Sequence, residues 1–408
     1  MIKIAIIGGG ASGLMAAITA ATIGAQVTII EHQKQIGKKL LSTGNGRCNF
    51  TNINQKPEYY HSENRAFPFA VYQKFPTQDT IAFFSKLGIL SKNRNGYMYP
   101  HSDQATAVLA ALQMEIKRLG IDVLTETKCF EIIPQENGFQ IRTSNGVIEA
   151  NKVILATGSK AAPVTGSDGS GYELAKKLGH QMTPIVPSLV QLRCAEPFYK
   201  KLAGIRINGK VELYLNEVLV AADTGEIQLT NYGISGIPVF QISRFAALGL
   251  NEKQTVTAKL DFMPDFTTSQ LEVFLANRIE KRPMKKPEEF LIGVFPQKLA
   301  NVFIQLSGLS KHQSVQQFSS NDIDILIKLI KSFTTVIAAT NSFEQAQVCA
   351  GGVDTKEVSI DTLESLIQSG LYFAGELLDV DGLCGGYNLQ WAWSSGYLAG
   401  REAASAAD

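Results

Sequence analysis

The run Gly8-Gly9-Gly10-Ala11-Ser12-Gly13 fills every glycine position of a G-x-G-x-x-G pattern. That spacing suits chemistry on phosphates. Gly8 permits a tight turn, Gly10 lets a pyrophosphate approach the backbone, and Gly13 lets a helix pack close to a strand. Glu31 lies 18 residues after Gly13, where a carboxylate can accept hydrogen bonds from ribose hydroxyls. An acid there disfavours a 2′-phosphate, which argues against NADP at this site. A second group, Gly385-Gly386-Tyr387-Asn388-Leu389, opens an uncharged run that continues to Gly400. Gly and Asn both suit a helix start, and a helix start offers N–H donors and a positive dipole end to an anion.

These groups need elements to position them. Ile4–Ile7 is a short apolar run suited to a buried parallel strand. A helix is expected from about Ser12 to Ile23, ended by Gly24, with a second strand over Gln26–Ile30. The stretch 4–30 has no charge and superficially resembles a targeting signal, but its five Gly split it into strand, turn and helix of a folded core. Two more strands, Lys152–Leu155 and Leu371–Ala374, run into Ala156-Thr157-Gly158 and Gly375-Glu376. Residues 37–52 are too polar for a core strand and too Gly-rich for a helix, so they read as a loop wrapped on an extended cofactor.

With 408 residues the chain has room for two to three domains. Its 38 basic and 37 acidic side chains give a net charge of +1, so no global field draws nucleic acid or an anionic membrane. The five Cys, at 48, 129, 194, 349 and 384, show no CxxC or Cys/His spacing. No disulfide framework or metal site is expected, and a reducing cytoplasm fits.

The middle of the chain changes pattern. Short alternating runs at Gln191–Cys194, Gly209–Leu215, Glu217–Ala221 and Thr255–Leu260, with turns marked at Asn216 and Gly225, predict a β-subdomain or barrel over about 191–262. A helical region follows over about 263–333, with caps near Thr267 and Ser320. The nucleotide-binding domain is therefore expected to be split, as 1–190 and 334–408. The basic run Arg278–Lys286 is interleaved with acids and reads as a solvated helix end, which argues against nucleic acid. The cluster Gly166–Gly171 has no apolar strand leading into it, so it is expected to pack beside the adenosine end of the first site rather than form a second one.

The long loop carries a further signal in its residue order. The stretch from Lys39 to Asn52 (Lys-Leu-Leu-Ser-Thr-Gly-Asn-Gly-Arg-Cys-Asn-Phe-Thr-Asn) and the signature Gly375-Glu376-Leu377-Leu378-Asp379, Gly382, Gly385 to Gln390 resemble the HI0933-like family of bacterial FAD-binding proteins. The resemblance spans nearly the whole chain. It departs at Thr43-Gly44-Asn45-Gly46, where Asn45 tolerates positive φ, and at Glu376, where related flavoproteins carry Asp. The resemblance implies an α/β fold with a Rossmann-like FAD-binding domain of the two-dinucleotide-binding-domain type, split by the inserted barrel-like and helical region. It implies that Gly8, Gly9, Gly10, Ala11, Ser12 and Gly13 hold the pyrophosphate, and that Glu31 and His32 serve the adenosine ribose. Lys39, Leu40, Thr43, Gly44, Gly46, Arg47, Cys48 and Asn49 would wrap the ribityl chain and ring. Cys129 and Phe130 would frame the adenine, on a strand read at Thr127–Ile133. Ala156, Thr157 and Gly158 would line the adenosine side. Gly375, Glu376 and Asp379 would face the ribityl and phosphate region, and Gly385, Gly386, Tyr387, Asn388 and Leu389 the ring.

The activity this implies is a cytoplasmic FAD-dependent oxidoreductase that passes hydride through flavin N5 to or from a small substrate with an activated C=C or C=O. NAD(P)H is the expected reductant, bound transiently because no second nucleotide fingerprint is present; another donor is the alternative. A tRNA-modifying flavoenzyme and a non-catalytic flavin-binding redox sensor are the competing readings. No catalytic acid is singled out among Tyr387, Tyr97, Tyr99 and His101. Cys48 and Cys384 lack a CxxC partner, which argues against thiol–disulfide chemistry. A side chain at Gly386 is expected to push the ring off the helix start. The sequence leaves the oligomeric state open.

Overall fold

Four short, largely buried strands and one exposed edge strand pair as one parallel sheet. The computed structural model, which describes residues 1–310 and 312–405, orders them Leu371–Phe373, Lys152–Leu155, Lys3–Ile7, Gln26–Ile30, Asp122–Leu124. The central strand pairs Ile4 with Lys152 on one side and with Val27 on the other. Its residues Ile4, Ala5, Ile6 and Ile7 are buried, as are Leu14, Met15, Ala16 and Ala17 on the first helix, Ala11–Ile23. An antiparallel sheet of Cys129–Gln135, Gly138–Thr143 and Gly146–Ala150 belongs to the same compact unit. That unit comprises Met1–Val186 and Phe343–Asp408.

The second unit is Pro187–Ser342. It holds a closed six-stranded barrel in the order Leu192–Cys194, Gly233–Ser235, Val218–Leu229, Ile205–Leu215, Val256–Asp261, Phe333–Thr340. Leu192, Val211, Leu213, Ile227, Leu229, Ile234, Ala258 and Leu260 fill its interior. Three details differ from the sequence reading. Gly225 is not a turn: it sits mid-strand opposite Gly209, and a Cβ there would press on the Pro238 ring, so glycine admits the neighbouring helix. That helix, Ile237–Asn251, lies inside the stretch read as strands. Phe333–Thr340 closes the barrel instead of beginning the return to the first unit, because Phe333, Thr335 and Ile337 alternate inward on it. Thr267 does cap its helix, in a reciprocal pair with Gln270, and Ser319 with Asp322 caps the helix Ser320–Lys331. Among the described residues, no helix is long and apolar enough to cross a membrane, and no His, Cys, Asp and Glu cluster could hold a metal.

Candidate active site

The first helix begins at Gly10, which caps it with no side chain. A Cβ on Gly8 would strike the Ala156 carbonyl and one on Gly13 the Gly8 carbonyl, so these two glycines serve packing of turn, strand and helix. A Cβ on Gly10 would meet nothing within 4 Å. The helix start at Ala11 and Ser12 thus presents unshared N–H groups beside a clear approach, the arrangement that receives a phosphate.

Glu31 ends its strand buried at 8% exposure, with one carboxylate oxygen accepting from Gly9 N at 2.9 Å and the other from Gln33 N at 2.8 Å. His32 Nδ1 stands 3.7 Å from the same carboxylate. The Glu31 carbonyl accepts from Thr127 N, which brings the strand carrying buried Cys129 and half-exposed Phe130 beside it. Gly166 lies against Gln33 and His32. Ala156 is buried, the Thr157 hydroxyl is buried with no hydrogen-bond partner, and Gly158 abuts Ser167.

Gly375 rests on Ser12, and its carbonyl accepts from Trp391 Nε1 at 2.9 Å. The next residue, Glu376, accepts from Lys39 Nζ at 2.7 Å and from Ser159 Oγ at 3.0 Å. Ser159 was not foreseen, although it directly follows Ala156-Thr157-Gly158. Asp379 is buried and accepts from Glu63 N at 2.9 Å.

The loop from Lys39 to Gly46 breaks its helical turns at extended Thr43 and at Gly44 and Asn45, both with positive φ. Thr43 Oγ1 donates to the Leu40 carbonyl. The Arg47 N–H donates to the Gly44 carbonyl. Cys48 is fully buried, and burial pushes its thiol up to about 12. Burial raises the Cys384 thiol too. Asn49 Oδ1 is buried with no hydrogen-bond partner, near Gly386.

The final helix, Tyr387–Ala404, starts from left-handed Gly386, again with no side-chain cap. It runs alongside the first helix: Gly396 meets Ser12 and Gly400 meets Ala16, so the two helices are parallel and in close backbone contact. Tyr387 therefore lies nine residues, or about 13 Å of helix, beyond the level of Ser12. Two uncapped helix starts facing the same way, offset by that length, suit one elongated ligand with an anionic or hydrogen-bond-accepting group at each end. The turn before Tyr387 is held by Asn52 Nδ2, which donates to the Gly385 carbonyl at 3.0 Å, and by buried Gln390, which accepts from Thr51 Oγ1 at 2.5 Å. Trp393 Nε1 donates to the Phe50 carbonyl at 2.8 Å.

A Cβ at Gly386 would stand 2.7 Å from the Thr51 carbonyl, at φ +97. The absent side chain makes room for the Thr51 backbone. The acid candidates also separate. The Tyr387 hydroxyl donates to the Asn54 carbonyl at 3.0 Å and its ring packs against Tyr59 and Tyr60. Tyr99 lies under the Arg94 guanidinium at 5.4 Å, and His101 is exposed. Tyr97 is 37% exposed, and its ring edge lies against Gly385.

A parallel sheet whose first strand feeds an uncapped glycine turn, with an acid closing the second strand, defines a Rossmann-type dinucleotide-binding protein. The chain belongs to the HI0933-like family: the family's Rossmann-domain model matches residues 2–402. It is 47% identical over 406 residues, 99% of both chains, to a 3-dehydro-bile acid delta(4,6)-reductase of Clostridium scindens. It is 30% identical over 398 residues, 96% of both chains, to a ribosomal RNA dihydrouridine synthase of Haemophilus influenzae. A protein of the same name from Escherichia coli is 29% identical over 405 residues, 97% of this chain and 96% of the other. The chain is an FAD-dependent oxidoreductase.

Proposed function

We propose that this enzyme reduces a carbon–carbon double bond conjugated to a ketone in a small steroid-like acid, in the cytoplasm, with NAD(P)H as a transiently bound donor. The observation that carries the substrate class is the 47% identity, over 99% of both chains, with the bile acid reductase. Bound FAD supplies the hydride from N5.

The residues present fit that cofactor. The open approach at Gly10, the two uncapped helix starts and the unpartnered Thr157 hydroxyl are what its phosphates and hydroxyls call for. Gly9 to Gly13 would hold the pyrophosphate, Glu31 the adenosine ribose, and Lys39 with Glu376 the polar chain between the two ends. The N–H groups of Tyr387, Asn388 and Leu389 would stabilise negative charge at the ring end. Tyr97, partly exposed with its ring against the Gly385 turn, is the acid candidate favoured here. The buried, high-pKa thiol of Cys48 supports a structural role rather than a redox one.

The RNA reading draws on the two relatives at lower identity. In the basic run, Arg278 is committed inside the protein: it donates to the carbonyls of Phe290 and Ile292 and lies over the Phe274 ring. That supports the small-molecule reading. The test is anaerobic incubation with NADH or NADPH and a 3-oxo-4,6-diene bile acid. Loss of the dienone absorbance, with a product two mass units heavier, is expected. An unchanged dienone with fully flavinated enzyme would overturn the reading.

A further inference from the structure

In the first unit the strand Ser91–Arg94 pairs with Tyr97–Pro100, with Lys92 opposite Tyr99 and Arg94 opposite Tyr97. Opposite residues of a sheet share a face, and Met98 and Pro100 are buried on the other one. Lys92, Arg94, Tyr97 and Tyr99 therefore stand together on the outward face. The Arg94 guanidinium lies 5.4 Å from the Tyr99 ring centroid and donates through Nη2 to Asp103 Oδ2 at 2.7 Å. Lys92 Nζ is bound to the same carboxylate oxygen and donates to the His101 carbonyl at 3.1 Å. A third cation arrives from the glycine loop. Gly44 lies against the Tyr99 ring, where a Cβ would be 3.6 Å away, and the Arg47 N–H donates to the Gly44 carbonyl. Burial raises the Tyr99 hydroxyl, and the charges of Arg47 and Arg94 oppose that rise, so both guanidinium groups bear on it.

One carboxylate thus serves three cations. Lys92 above all holds the Asp103 carboxyl below its usual range, with Arg94 and Arg47 adding to it. Arg94 spends one of its five N–H groups on Asp103. Arg47 is exposed, and among the described residues its side chain makes no hydrogen bond or ion pair. An anion set between the two guanidinium groups would relieve their mutual repulsion, and a guanidinium fork matches the two oxygens of a carboxylate. The Tyr99 ring and Asp103 already hold Arg94 in place, which lowers the entropy lost on binding.

The position of the cluster names the ligand. Tyr97 lies two residues from Tyr99 on the same face, about 7 Å along the strand. Its ring edge rests against Gly385, in the turn that leads into the final helix. The substrate receives a proton in the reduction and the nucleotide does not, so the molecule beside Tyr97 is the substrate, with one end reaching the arginines. We propose that Arg47 and Arg94, gathered round Tyr99 and beside Tyr97, bind the carboxylate of the enzyme's acidic substrate. The proposal rests on the steroid-acid reading above, uses residues of the first unit alone, and adds the group that recognises the acid.

The experiment compares holoenzyme with Arg94→Gln, Arg47→Gln and the double variant on a 3-oxo-4,6-diene bile acid and on its methyl ester, which keeps the steroid and removes the charge. Each single change should raise the KM for the acid roughly tenfold, and the pair further, with kcat and the ester's KM little changed. Arg94→Lys, which keeps the charge but loses the fork, should fall between wild type and Arg94→Gln. Anaerobic reduction of the flavin by NADPH, without substrate, should proceed at the wild-type rate in every variant. Equal loss on acid and ester, no loss on either, slower flavin reduction by NADPH, or loss of FAD from Arg47→Gln would each overturn the proposal while leaving the reductase reading intact. Turnover of neither compound by the wild type would overturn the reading, and the proposal with it. Unchanged unfolding midpoints confirm that each variant reports on recognition.

Discussion

A Cβ at Gly10 would meet nothing within 4 Å, whereas one at Gly386 would stand 2.7 Å from the Thr51 carbonyl. Both residues precede a helix that starts without a side-chain cap. Gly10 has φ −80 and ψ −171, which any residue adopts, while Gly386 has φ +97. Glycine at the first position leaves the space beside the helix start open. Glycine at the second lets the Thr51 segment lie against the turn. Two motifs of similar composition therefore meet different demands: one leaves the space beside a helix start open and the other makes room for the Thr51 segment.

The largest effect should come at Gly386. Gly386→Val forces a β-branched side chain into left-handed backbone and into Thr51, at an expected cost of about 3–5 kcal/mol. Denaturant unfolding of the apoprotein should show it, and a variant with wild-type stability would break the comparison. Glu31→Ala comes next. Its carboxylate serves Gly9 and Gln33 within the protein, so the variant should lose roughly 1–3 kcal/mol even without cofactor, besides weakening FAD. Loss of FAD affinity with apoprotein stability intact would show that Glu31 acts on ligand alone.

Much of the first turn was legible because its logic is local: strand, glycines, helix and Glu31 lie within 31 residues. The contact that demands glycine at 386 was not legible, because Thr51 is 335 positions away in sequence. Distance also hid the barrel's closure. Phe333–Thr340 pairs with Val256–Asp261 across a whole helical region, and no local signal separates such a strand from the start of a new domain. Gly225 looked like a turn because glycine in an alternating run signals either a break or a close neighbour, and the neighbour was an unrecognised helix.

Two smaller effects sharpen the account of the region between the helix starts. Lys39→Met removes the partly buried partner of Glu376 but leaves Ser159 in place, so stability should fall by about 1 kcal/mol or less. A larger loss would mean that the pair is a structural anchor. The smallest effect should be at Cys48. Its thiol titrates near 12 in the folded protein against 9.0 in an exposed one, so folding is favoured by the neutral form. Its contribution is whole below about pH 9 and is lost as pH rises towards 12. Iodoacetamide at pH 8.5 or so should leave Cys48 unmodified in native protein, as mass spectrometry of tryptic peptides would show. Rapid labelling would contradict its burial.

Gly10→Val tests the central claim most directly, because the variant keeps an ordinary backbone conformation and its Cβ meets no protein atom within 4 Å. Apoprotein of both forms would be titrated with FAD, following flavin fluorescence, alongside denaturant unfolding of the same samples. If the first helix start receives the FAD pyrophosphate across the opening at Gly10, affinity should fall at least tenfold, or about 1.4 kcal/mol, while apoprotein stability falls by no more than about 1 kcal/mol from the change of helix cap. FAD affinity equal to wild type would contradict the placement of the cofactor.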